Sequence, residues 1–77
     1  LLVVDDEPAA VNFLRRGLSE EGFSVDVATD AARAKAAVEA QRYDLIVLDV
    51  MLPGEDGFAL CRQWRAAGVQ TPILFLT

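Results

Sequence analysis

Apolar residues recur along this chain with two different periods, and the two alternate from one end to the other. Residues 1–4 (Leu-Leu-Val-Val), 45–48 (Leu-Ile-Val-Leu) and 73–76 (Ile-Leu-Phe-Leu) are continuous apolar runs, as strands of a parallel sheet covered on both faces require. Residues 23–28 also predict a strand, but Phe23-Ser24-Val25-Asp26-Val27 alternates. Alternation gives that strand one face toward solvent or polar neighbours and places it at an edge of the sheet. The other three strands read as interior.

Between the strands the period lengthens. Pro8 stands where a first-turn proline belongs, Val11, Leu14 and Leu18 repeat at helical spacing, and Gly22 suits a left-handed C-terminal cap. Ala10, Phe13 and Gly17 form a second stripe beside the first, small and aromatic, that needs a packing partner of its own. Asp30 can cap a second helix running through Gln41, whose alanine-rich body offers Ala34, Ala37 and Val38 to a core. Residues 58–67 predict a third helix, in which Trp64 follows Leu60 on one face and Cys61 serves as a small core hydrophobe. Gly68 ends it, and the Thr71-Pro72 pair blocks helical continuation. The order β-α-β-α-β-α-β indicates an α/β unit with a doubly wound parallel sheet.

Composition narrows the classes of function. A chain of 77 residues has room for one small core, so residues 1–77 are expected to form a single domain. With 53% hydrophobic residues the chain carries too much apolar surface for a disordered segment. No apolar run approaches the roughly 20 residues of a membrane span, and the opening run leads straight into acids without the features of a signal peptide. The cytoplasm is therefore the expected location. With no histidine and one cysteine, Cys61, these residues cannot build a structural zinc site, a Ser-His-Asp triad or an intrachain disulfide. A net charge of -5 would repel a phosphate backbone, so direct nucleic-acid binding through these residues is not expected.

The acids fall at particular places. In a doubly wound sheet ligands bind outside the carboxyl ends of the strands, where Asp5, Asp6, Asp49 and Thr77 all stand. Neighbouring first and third strands would bring three carboxylates within a few ångströms, and their repulsion must be relieved by a cation or a shared proton. Mg²⁺ suits that need, being a hard ion that pairs one or two carboxylates with water and phosphate oxygens. A carboxylate beside such an ion can attack a phosphoryl group, and Asp49 is the candidate nucleophile. Thr77 could hydrogen-bond a phosphoryl oxygen. Singly, each residue also has a structural role open to it: Asp-Asp-Glu-Pro as a helix start, Asp49 as a turn residue, Thr77 as strand filling. Glu55 and Asp56 are expected to be turn formers in a solvated loop.

Leu-Val-Val-Asp5-Asp6-Glu7, Leu-Ile-Val-Leu-Asp49-Val-Met51-Leu-Pro53-Gly54-Glu-Asp-Gly57 and Thr71-Pro72-Ile-Leu-Phe-Leu-Thr77 together resemble the receiver domains of bacterial response regulators in order, spacing and context. The resemblance covers essentially the whole chain. It implies a flavodoxin-like fold of strand order 2-1-3-4-5, for which the chemotaxis receiver is a standard instance. It further implies that Asp49 accepts a phosphoryl group from a sensor histidine kinase, that Asp6 and Asp49 ligate Mg²⁺, that Asp5 helps through water, and that Met51 lends its backbone carbonyl. Thr77 resembles the switch hydroxyl, and Pro53 and Gly57 would shape the adjoining loop. The stretch from Ala67 to Pro72 resembles regulators with winged-helix DNA-binding outputs, so the implied output is transcription control; homodimerisation stays open.

The family pattern continues beyond Thr77 with a fourth helix, a fifth strand ending in a lysine, and a fifth helix that packs on the side of the first. The chain is therefore expected to be a partial receiver without its output domain, weakly folded and impaired in phosphotransfer in isolation. Two other classes compete. An aspartyl-phosphate phosphatase of the haloacid-dehalogenase type should carry a second aspartate two residues after the nucleophile, where this chain has Met51. A phosphorylation-independent interaction module would have no need of the acidic trio, which argues against it, whereas the absence of the family's lysine from these residues argues for it. The expected role is a signalling domain and not an enzyme.

Overall fold

Val3 and Val4 point to opposite faces of one strand and neither meets water, so that strand must lie inside a sheet with cover on both sides. The computed structural model describes residues 1–76 and orders the elements as β1 (Leu2–Val4), α1 (Pro8–Glu20), β2 (Asp26–Ala28), α2 (Ala31–Ala40), β3 (Ile46–Asp49), β4 (Met51–Leu52), β5 (Glu55–Asp56), α3 (Gly57–Ala66) and β6 (Ile73–Leu76). Four strands form a parallel sheet of order β2-β1-β3-β6. The order agrees with the flavodoxin-like expectation as far as the described strands go.

Register decides which side chains share a face. Val4 stands opposite Ala28 and Leu48, and Leu48 opposite Phe75. Leu2, Val4, Ala28, Ile46 and Leu48 meet Ala31 and Ala34 of α2 and Leu60 and Trp64 of α3 in one core, with Ala37, Val38, Cys61, Ile73 and Phe75 packed around it. The opposite face carries Val3 and Val47, both buried, on the side where α1 contributes Val11. The alanine-rich helix and the Leu60/Trp64 face thus pack as their periodicity predicts. Beside Val11, however, Phe13 is 78% exposed, and Leu74 on β6 is 56% exposed. In the second stripe of α1, Phe13 and Gly17 are exposed and only Ala10 is half-buried.

Three strand expectations need correction. The second strand begins at Asp26 and not at Phe23, because the preceding residues finish α1: Gly22 takes φ +93°, its N–H donates to Ser19 O, and Phe23 N–H donates to Leu18 O. That pairing is a Schellman motif, in which a left-handed residue satisfies the last free carbonyls of a helix. It recurs at Gly68, where Val69 N–H donates to Trp64 O at 2.9 Å. The edge position of β2 stands; β6 occupies the other edge of the described sheet, where its apolar run alone read as interior but the implied strand order without its fifth strand places it. A continuous apolar run reports two faces that need cover, not the number of neighbours. Finally, the Pro53-Gly54 loop is a small antiparallel hairpin of β4 and β5, too short to register as a period.

The helix starts follow their caps. Asp30 accepts Arg33 N–H at 2.7 Å, as the sequence predicts, and Asp56 accepts Ala59 N–H at 2.7 Å. At the end of the sheet away from the acids, the Tyr43 hydroxyl donates to Asp26 Oδ2 at 2.7 Å and Thr71 Oγ1 donates to the Tyr43 carbonyl at 3.1 Å. Burial and the Asp26 carboxylate raise the Tyr43 hydroxyl above its usual pKa. Among the described residues no helix is long and apolar enough to cross a membrane.

Candidate functional site

Because β1 and β3 are neighbours in parallel, the residues that follow Val4 and Leu48 come out side by side. Asp5, Asp6 and Asp49 each present a carboxylate oxygen, and these oxygens lie within 4.8 Å of one another. Each is set differently. Asp5 is only 5% exposed; its N–H donates to Ala28 O at 3.1 Å and its Oδ1 accepts Glu7 N–H at 2.9 Å. Asp6 is exposed, and Asp49 is half-buried with its Oδ1 accepting the Met51 N–H at 3.1 Å. The Met51 side chain itself is exposed. Thr77 lies outside the described residues.

Glu7, which accepts Ala9 N–H through its side chain, caps α1. That leaves Asp6 free of the capping role that the Asp-Asp-Glu-Pro run also allowed, while Asp5 steadies the cap through the Glu7 N–H. Among the described residues no ion pair reaches the three aspartates. Two unit charges about 5 Å apart repel by about 1 kcal/mol under water-like screening and about 3 kcal/mol under the stronger field near a protein surface. Hard oxygen donors at this spacing fit a hard divalent cation. Asp6→Asn is therefore expected to raise the urea midpoint without divalent cations, by a stability of about 1 kcal/mol, and to weaken the further rise that Mg²⁺ brings. Far-UV circular dichroism checks both.

The loop after Asp49 departs from the expected solvated turn. Asp56 is the N-cap of α3, and an Asp just before a helical run was the signal for it. Glu55 is half-buried and contacts Lys35 Nζ at 3.2 Å and Gln63 Nε2 at 3.1 Å. The hydrogen bond from Gln63, followed by Lys35, holds its carboxyl below the usual carboxylate range. No local pattern could have predicted a partner twenty residues away.

The sequence profile of the response regulator receiver domain matches residues 1–77, the whole chain. The chain belongs to the response regulator receiver domain family. As a receiver it is 52% identical over all 77 residues to the transcriptional regulatory protein TcrA of Mycobacterium tuberculosis, and 47% identical to the transcriptional activator protein IrlR of Burkholderia pseudomallei. It spans 30% and 33% of those proteins, about a third of their length. A Francisella response regulator receiver domain superposes with a TM-score of 0.93 at 32% identity, over 96% of this chain and 61% of that one. The response regulator TrrA of Thermotoga maritima, solved in complex with Mg²⁺-BeF, superposes with a TM-score of 0.91 at 36% identity, over 99% of this chain and 66% of that one. These receivers share the α/β fold, and the family is a signalling domain of two-component systems.

Proposed function

We propose that this receiver is switched by phosphorylation of Asp49, with a sensor histidine kinase as donor and transcription control as output. The observation that carries the reading is the convergence of Asp5, Asp6 and Asp49 at the carboxyl ends of β1 and β3. In this reading Asp6, Asp49 and the Met51 carbonyl hold Mg²⁺ directly and Asp5 holds it through water. When bound, the ion would neutralise charge on the transferring phosphoryl oxygens.

The chain's own residues do the rest. Met51 N–H holds Asp49 Oδ1, which leaves the other carboxylate oxygen as the attacking atom. That oxygen forms a bond to phosphorus as the bond from phosphorus to the donor breaks, and the leaving group departs with the electron pair. Thr77, which follows Leu76 in the sequence, is the proposed hydroxyl for the new phosphoryl oxygens. Residues 1–77 act as part of one receiver domain in the cytoplasm, the output lying elsewhere. The two oxygens of Asp49 are thus unequal before any donor arrives.

Incubation of the full-length, lysine-containing receiver with Mg²⁺ and a small phosphodonor, followed by intact mass measurement, tests this. A phosphoryl adduct on the wild type that is lost in Asp49→Asn is expected. No phosphoryl adduct, or one that survives Asp49→Asn, would overturn the assignment.

A further inference from the structure

A pair of two-residue strands cannot hold itself together in water, so the β4–β5 hairpin needs an anchor beyond its own pairing. Glu55 supplies one. Its Oε1 accepts from Lys35 Nζ at 3.3 Å and from Gln63 Nε2 at 3.1 Å, while its Oε2 lies 3.2 Å from the same Nζ and is shielded from solvent. One carboxylate therefore joins α2, the hairpin and α3. The hairpin in turn reaches the reactive aspartate by a short path. Leu52 pairs with Glu55 and Met51 with Asp56, Met51 N–H bonds Asp49 Oδ1 at 3.1 Å, and Gly57 N–H bonds Val50 O at 2.6 Å.

We propose that Glu55 is a positioning residue for Asp49: gripped by Lys35 and Gln63, it fixes the hairpin and so the place of the Met51 N–H that holds one Asp49 oxygen. The inference rests on the phosphoacceptor reading and deepens it. A partly exposed ion pair contributes little stability of its own; its effect here is to order a hairpin whose other end touches the nucleophile. A small displacement of a reacting group is enough to slow group transfer.

The variants are Glu55→Ala, the milder Glu55→Gln, Lys35→Met, the Glu55→Ala/Lys35→Met double, and the exchange of Glu55→Lys with Lys35→Glu. All are compared where circular dichroism shows each to be folded. Two readouts are needed: the hydrogen exchange rate of the Met51 amide, which requires no phosphorylation, and the rate of adduct formation at saturating Mg²⁺. In Glu55→Ala and Lys35→Met, Met51 exchange is expected to rise about tenfold and adduct formation to slow about fivefold. The double variant should be no worse than either single one, and the exchanged pair should recover most of both losses. Lower urea midpoints with an unchanged Met51 amide and unchanged rate would make the contact purely structural and overturn the proposal. Should the full-length wild type take no phosphoryl group, the phosphoacceptor reading fails, and an unchanged Met51 amide would still overturn the positioning role by itself.

Discussion

Gly57→Ala is expected to destabilise the receiver by about 3 kcal/mol and to remove phosphoryl adduct formation together with the Mg²⁺-dependent rise in the urea midpoint. A Cβ at this position would run into the Asp49 carbonyl oxygen, with Val50 Cα at 3.0 Å and the Asp49 carbonyl carbon at 3.1 Å. All three atoms are backbone. No flexible side chain can swing aside, so either the end of β3 or the start of α3 must move. Moving the first displaces Asp49 itself, and moving the second breaks the Gly57 N–H bond to Val50 O and the Asp56 cap. Urea unfolding followed by circular dichroism reads the stability loss, and intact mass reads the adduct. Wild-type behaviour in both would mean that the close approach is not a property of the folded protein.

Leu60→Ala is expected to remove cooperative folding altogether. Leu60 is fully buried on α3 among Leu48, Trp64 and the other side chains of the larger core. Truncation of a buried leucine costs about 2–5 kcal/mol through lost transfer energy and the cavity left behind. Native domains hold only roughly 0.05–0.15 kcal/mol per residue, so a loss of this size is a large part of what 77 residues can supply. The variant should show a broad urea transition that Mg²⁺ does not shift. A sharp transition near the wild-type midpoint would show that α3 contributes little to the core.

The two substitutions mark how far the sequence could be read. Val3, Val4 and Val47 announced strands covered on both faces, and the rule that sites form where parallel strands end picked out Asp5, Asp6 and Asp49 before any geometry was known. Asp30, Gly22 and Gly68 were legible because capping is local chemistry. What escaped was non-local or short. Phe23 is as apolar as a strand residue but is spent on closing α1. The hairpin has no period to detect, and the Lys35–Glu55–Gln63 contact joins residues that only the finished fold brings together. The edge position of β6 was legible only through the strand order that the resemblance implies, since its own continuous apolar run reads as interior.

The pairing of β1 with β3 also orders events in time. Asp5 and Asp49 stand more than half the chain apart, and each is brought to the corner by the strand it closes or follows. Long-range parallel pairing is slow to form, because loop-closure entropy is lost before contacts compensate for it. As the chain emerges from a ribosome, the first two aspartates therefore wait, exposed and unmatched, until β3 has docked beside β1. A divalent cation that needs all three carboxylates would bind only chains that have completed that step, so cation capture can serve as a clock for the docking of β3 on β1.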